Sequence, residues 1–327
     1  MMKQLKHYLT LLVFLLAFTL MVGCSNEQAS KQQNDEKAKQ ETKTEEAAFP
    51  VTLQDGLGGE LTIESEPEKI VSLIPSNTEI AYELGLGEKI VGVSDFDNYP
   101  EDVKNKEKVG GMEFNVEKII SLQPDLVLAH ASGAHSSKDG LQQLKDAGIN
   151  VLVVNDAKTF EDVYESIELI GKATGAVAQA GELVEGMKEK LDEIAEKAKA
   201  IKEENQVTVW VEISPAPELY TAAKGTFIHD MLQIISAKNA ASDQEGWPMY
   251  TEEKAVALNP DVIVITYGDY VQNAGEQVLT RPAWKDVPAV KNKRVHEVNP
   301  DIVTRSGPRL VEGVEELAKA VYPEVFK

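Results

Sequence analysis

From about residue 70 onward, short apolar runs alternate with amphipathic stretches, the pattern of layered α/β structure. Ile70-Val71-Ser72-Leu73, Ile90-Val91-Gly92-Val93, Leu126-Val127-Leu128 and Val151-Leu152-Val153-Val154 read as strands, and residues 77–84, 116–122 and 141–147 as the helices between them. That is one small α/β lobe. The stretch 160–205 then has no Pro and few strand formers. Its second half, 178–202, places Leu183, Met187, Leu191, Ile194, Ala198 and Ile201 three or four residues apart with Glu, Lys and Asp between them. This spacing predicts one amphipathic helix of about 25 residues, near 37 Å long, enough to bridge two lobes stiffly. Alternation resumes afterwards at 207–213, 227–235, 252–258, 262–265 and 295–298, and the chain closes on a helix over 309–321.

The two halves repeat one local unit. Asn115-Val116-Glu117-Lys118-Ile119-Ile120-Ser121-Leu122-Gln123-Pro124-Asp125 leads into LVLAH, and Thr251-Glu252-Glu253-Lys254-Ala255-Val256-Ala257-Leu258-Asn259-Pro260-Asp261 leads into VIVIT. Each copy reads as an N-cap (Asn115 or Thr251), a short helix, a Pro-Asp turn and a buried strand. Duplication of this unit implies two related lobes, and the cleft between such lobes is a usual place for a ligand.

The amino terminus is different in kind. Lys3 and Lys6 precede an apolar run from Leu9 to Val22, short for a membrane span and suited to the core of a secretory signal. Leu20-Met21-Val22-Gly23-Cys24 resembles a bacterial lipobox, with Met21 in place of the commoner Leu. Cys24 is the sole cysteine, so no internal disulfide or multi-cysteine cluster can form, and the resemblance implies a lipid anchor on its thiol. Residues 25–48 hold no Val, Leu, Ile or aromatic residue and cannot build a core. They read as a disordered tether with a reach of roughly 25 to 30 Å. The expected layout is therefore a signal peptide over 1–23, the tether over 24–48, a first lobe over 49–172, the inter-lobe helix over 173–205 and a second lobe over 206–327.

Across 327 residues, 54 Asp and Glu stand against 33 Lys and Arg, a net charge of −21, which disfavours nucleic acid as a partner. Arginine occurs only at Arg281, Arg294, Arg305 and Arg309, all near the C-terminus. A catecholate complex of high negative charge would need several converging cations, and the first lobe has no guanidinium to offer.

VSLIPSNTEIAYELGLGEKIVGVS, FNVEKIISLQPDLVLA, the long central helix, TEEKAVALNPDVIVI and TRSGPRLVEGVEELAKAVYP together resemble the class III solute-binding proteins, the cobalamin- and iron-siderophore-binding receptors of ATP-driven importers. The similarity runs from Phe49 to Lys327. It implies two α/β lobes joined by a single long rigid helix, no enzymatic activity, and a monomer that delivers its ligand to an ABC permease dimer with cytoplasmic ATPase subunits. It also implies attachment to the outer face of the cell membrane, as on a Gram-positive surface. Two acidic residues of the family, one per lobe, dock on the permease. By motif position these are Glu117 and Glu253, which the repeat independently pairs, although a Glu in a first helical turn also favours the helix dipole.

Ligand contacts carry over from the cobalamin receptors onto Phe96, Tyr220, Trp247 and the Asp301–Arg305 pair. The segment Pro75-Ser76-Asn77, after the first strand, is a candidate source of backbone and side-chain donors at the cleft edge. Where cobalamin receptors place a Trp before the docking helix, this chain has only Met112 and Phe114. Cobalamin or a related corrinoid is the expected ligand, with a ferric hydroxamate siderophore as the alternative. A haem or metal-ion receptor ranks below both, although His130 lies at a strand end, where a metal ligand would be useful. His135, His229 and His296 show no local ligand spacing. No G-x-S-x-G, H-E-x-x-H, phosphate loop or dinucleotide fingerprint occurs, which places a surface hydrolase last and gives no catalytic cofactor.

Overall fold

The computed structural model describes residues 49–327; the expected signal peptide, Cys24 and the expected tether lie outside the described residues. A hairpin of β1 (Val51–Gln54) and β2 (Glu60–Ile63) opens the first lobe. Its main sheet is parallel and five-stranded, in the order β5-β4-β3-β6-β7. The strands are β3 (Ile70–Ser72), β4 (Ile90–Val93), β5 (Glu107–Lys108), β6 (Leu126–His130) and β7 (Asn150–Val154). The second lobe holds a four-stranded parallel sheet in the order β10-β8-β12-β13, from β8 (Thr208–Glu212), β10 (Lys238–Asn239), β12 (Val262–Ile265) and β13 (Val295–Glu297). A ribbon of β9 (Leu219–Tyr220) and β11 (Met249–Tyr250) adds to it. Every residue of β6 and β12 is buried, which is why these strands are unbroken apolar runs: parallel strands are covered on both faces by their crossover helices.

The principal helices are α1 (Pro75–Glu83), α2 (Val116–Leu122), α3 (Lys138–Asp146), α4 (Phe160–Thr174), α5 (Val177–Ala198), α6 (Phe227–Ile234), α7 (Glu252–Ala257), α8 (Pro300–Thr304) and α9 (Leu310–Val321). Several bounds differ from the sequence expectation, α3 for example beginning at Lys138 rather than Leu141. Helix α1 begins at Pro75 rather than Asn77, because a proline in the first turn gives up only an N–H that has no helical partner. Pro75 and Ser76 are therefore buried helical residues and not donors in an open loop. The expected long helix has 22 residues, about 33 Å, and stops at Ala198 rather than Lys202. Ile201 is still buried, but from a turn, so the apolar spacing overran the helix end. The preceding stretch is a separate helix, α4, opened by a Thr159–Asp162 capping box and closed at Gly175. Gly175 has φ +81°, a left-handed conformation in which a side chain would be strained.

Helix α5 packs against α4, α6 and α9. One continuous apolar cluster runs from Ile70, Ile80 and Leu126 in the first lobe, through Ile167, Leu191 and Ile194, to Val209, Val264 and Leu317 in the second. A shared core of this kind resists hinge motion, since parting the lobes widely would expose it to water.

The repeated unit is built alike in both lobes. Asn115 and Thr251 accept hydrogen bonds from the backbone N–H of Lys118 and Lys254, capping α2 and α7. Gln123 and Asn259 leave these helices with the same positive φ of 51°. The Asp125 carboxylate accepts the N–H groups of Glu68 and Lys69, both at 2.9 Å, and Asp261 accepts that of Thr208 at 2.8 Å. The recurrent Pro-Asp thus clasps each unit to the start of its neighbouring strand.

Candidate functional site

In a parallel sheet the loops leaving the C-terminal strand ends form the usual binding edge. Here the loop after β4 and the segment after β13 meet directly across the lobes, so the two binding edges face one another. The β4 loop is held from within. Ser94 Oγ donates to Asp97 Oδ2 at 2.6 Å, and Lys108 Nζ donates to the carbonyls of Ser94 (3.1 Å) and Asp97 (2.9 Å). Burial of Asp97 raises its carboxyl pKa. Phe96 is turned outward and is 54% exposed. Its ring lies over Gly111, where a Cβ would come within 3.0 Å of it. Phe96, Met112 and Phe114, with Leu73, Ile74 and His130, line a cavity of about 240 Å³ on the first lobe.

His130 ends β6 and caps the short turn after it, its Nδ1 lying 2.8 Å from Ser132 Oγ and accepting the Ser132 N–H at 3.3 Å. These contacts engage Nδ1 and leave Nε2 out of the cap. Among the described residues no group of three or more His, Cys, Asp or Glu converges for a metal ion. Burial depresses the His130 pKa below its usual value, opposed by the nearby Asp156 charge. The folded protein therefore binds fewer protons here than the unfolded chain, and stability should fall as pH drops below about 6.5. His229 and His296 are depressed by burial too, so the contribution of His130 is read by comparison with His130→Gln. Between about pH 7.5 and 5.5 the wild type should lose more thermal stability than the variant; equal losses would show that His130 does not titrate in this way.

On the second lobe, Tyr220 and Met249 face each other across the β9–β11 ribbon. Trp247 stands just before it, edge-on to Phe227 with ring centroids 5.8 Å apart. Tyr220 is 39% exposed and Trp247 43%, so neither is spent on core packing. Met249 and Tyr270 are also exposed; sequence reasoning did not single them out.

Asp301 and Arg305 lie on and just after α8, joined at 2.7 Å. Arg305 Nη1 donates to Glu79 Oε1 and to Asn98 Oδ1, both at 2.8 Å, and Asn98 Nδ2 donates to Asp301 Oδ2 at 2.8 Å. Arg309 Nε and Nη2 donate to Glu79 Oε2 and Oε1 at 2.9 and 2.8 Å, and its guanidinium lies 4.0 Å from the Tyr99 ring. Glu79, almost fully buried on α1, thus bridges two arginines of the opposite lobe, with Asp301 supplying the second negative charge. Sequence reasoning missed it. The only signal was the pair of arginines four residues apart, which demands an acid without naming one.

The other arginines are also engaged: Arg281 grips the buried Glu212 carboxylate at 2.9 and 2.7 Å, beside Trp210 and Tyr267, and Arg294 donates to the Val321 carbonyl at 2.6 Å. Arg281, Arg305 and Arg309 are thus paired with carboxylates, whereas Arg294 is held by a backbone carbonyl alone among the described residues.

Glu117 and Glu253 sit at equivalent places in the first turns of α2 and α7, both exposed. Their neighbours are committed: Lys118 pairs with Glu107 at 2.9 Å, and Glu252 accepts from Trp284 Nε1 at 3.1 Å. Glu117 and Glu253 have no ion-pair partner among the described residues.

Residues 70–302 match the family described as periplasmic binding protein. The chain is 54% identical over 313 residues to the uncharacterized ABC transporter substrate-binding lipoprotein YvrC of Bacillus subtilis, covering 96% of each protein. The chain belongs to the periplasmic binding protein family. This is a family of substrate-binding proteins rather than enzymes, and the two α/β lobes joined by one long helix are its class III fold. A cobalamin-binding protein of Halobacterium salinarum is 30% identical over 283 residues, 84% of this chain and 75% of that one. A crystal structure from Staphylococcus epidermidis, of a possible iron-binding (periplasmic solute-binding) protein, aligns with a TM-score of 0.71 at 40% identity. It covers 79% of this chain and 100% of that one.

Proposed function

We propose that this protein is the substrate-binding lipoprotein of an ABC importer, anchored through Cys24 to the outer face of the cell membrane, and that it captures cobalamin or a related corrinoid. The observation that carries the ligand choice is the cleft's chemistry. Exposed aromatics occur on both lobes (Phe96, Tyr220 and Trp247), an Asp301–Arg305 pair lies where the lobes meet, and the guanidiniums at that junction, Arg305 and Arg309, are already paired with carboxylates. A large, flat, mostly neutral ligand edged with amides suits such a surface, since flat faces stack on the rings while the polar pair reads an edge. The relationship to a cobalamin-binding protein supports the same choice. Glu117 and Glu253 are the docking acids, one per lobe, for a two-fold permease with its ATPase subunits. A ferric hydroxamate siderophore is the second reading, favoured by the likeness to the possible iron-binding protein.

Isolating the protein with its native ligand and recording the absorption spectrum tests the proposal. A corrinoid spectrum is expected, and a ferric hydroxamate band would move the assignment to the second reading. Within the corrinoid reading, Trp247→Ala removes a stacking face and should weaken cobalamin binding by about 1 to 3 kcal/mol, read by calorimetry. Unchanged affinity would place the ligand away from the β9–β11 ribbon.

A further inference from the structure

We propose that Asn98 is a built-in cap that holds the place of a ligand carboxamide on the Asp301–Arg305 pair, an inference that rests on the corrinoid reading for its choice of probe. Its side-chain amide does two things at once: Nδ2 donates to Asp301 Oδ2 and Oδ1 accepts from Arg305 Nη1, both at 2.8 Å. A primary carboxamide supplies this donor and acceptor from one planar group. Asn98 comes from the first lobe and its two partners from the second, so the cap spans the cleft at the point where the lobes touch.

The surroundings keep the pair ready when the cap leaves. Arg305 is still gripped by Glu79 at 2.8 Å and by Asp301 at 2.7 Å, so its guanidinium does not depend on Asn98 for orientation. The loop carrying Asn98 is tied down on one side by Ser94, Asp97 and Lys108, and on the other Tyr99 rests against Arg309. Asn98 itself is exposed. Uncapping therefore needs rotation of one side chain rather than movement of the loop.

The exchange selects for chemistry. An incoming primary amide replaces each hydrogen bond it breaks, so its net cost is small. A ligand edge with oxygens alone can satisfy Arg305 but leaves Asp301 without a donor, and a carboxylate there meets a like charge. The cap thus sets a threshold that only an amide-bearing ligand crosses cheaply, and it keeps the pair satisfied while the cleft is empty.

The test compares wild type and Asn98→Ala by calorimetric titration with cyanocobalamin and with a monocarboxylic acid derivative in which one peripheral amide has been hydrolysed. Removing the cap should tighten cyanocobalamin binding about tenfold, because nothing competes for the pair, and narrow the preference for the amide form. Equal or weaker binding by the variant would overturn the cap, since a residue that only props the lobes, or touches the ligand, cannot raise affinity when truncated. If neither protein binds cyanocobalamin, the corrinoid reading fails and the cap is judged on the ligand-free proteins by hydrogen exchange. Exchange over 94–100 and 299–305 should then stay within about twofold of wild type in Asn98→Ala, because other contacts hold the loop and Arg305. Several-fold faster exchange in those segments would overturn the cap, since Asn98 would then be a prop between the lobes.

Discussion

Substituting Ala for Glu79 should destabilise the folded protein by about 3 to 5 kcal/mol, the range for removing one partner of a buried ion pair. Glu79 is 1% exposed and faces Arg305 and Arg309, which are themselves 16% and 10% exposed, so the substitution leaves Arg309 without a carboxylate and Arg305 with Asp301 alone. The loss falls on the join between the lobes, because the acid is on α1 and the arginines flank the loop into α9. Glu79→Gln keeps the shape and should cost most of the same amount, since the charge is what matters. Adding Arg309→Met to Glu79→Ala should recover part of the loss, as neighbouring sites in one network are not additive. Urea unfolding measures all three variants; a change below about 1 kcal/mol for Glu79→Ala would mean that water reaches and satisfies the arginines.

Loss of transport without loss of ligand is expected when Glu117 and Glu253 are both replaced by Ala. Each is exposed, and their equivalence in the repeat lets them make matching contacts with a two-fold symmetric permease. Two charge-assisted contacts would vanish together and uptake should fall to background, with milder effects from either change alone. Ligand affinity should stay within about twofold, because neither side chain lines the first-lobe cavity or touches the Asp301–Arg305 pair. Parallel assays of binding and uptake decide the matter. Normal transport by the double variant would remove the docking assignment, and lost binding would move these residues into the cleft.

What the sequence made legible was whatever repeats or is continuous over several residues. The strands around Leu126–His130 and Val262–Ile265 are unbroken apolar runs because both faces are covered, and the duplicated Asn/Thr cap with its Pro-Asp turn could be read letter by letter. Strands β9 and β11 escaped because a strand of two residues shows no alternation. The start of α1 escaped because Pro75 followed by Ser76 and Asn77 has the composition of a turn, while tertiary burial recruits it as helix. The end of α5 escaped because Ile201 keeps the helical spacing from within a turn.

At the site, Phe96, Tyr220 and Trp247, all three exposed, could be named in advance only through the resemblance to the cobalamin receptors. Glu79 and Asn98 could not. Their roles are defined by partners 226, 230 and 203 residues away, and nothing local to TEI or DNY distinguishes an acid or amide that crosses a cleft from one that faces solvent. His130 illustrates the converse. Its place at a strand end suits a metal ligand, but its Nδ1 caps the following turn and, among the described residues, no group of three or more His, Cys, Asp or Glu gathers for a metal ion.

Calorimetric titration of the purified protein with cyanocobalamin, and separately with a ferric trihydroxamate, tests the central claim most directly. Saturable heat with cyanocobalamin, and none with the ferric complex, is the predicted result. Saturable binding of the ferric hydroxamate with no response to cyanocobalamin would contradict the corrinoid assignment.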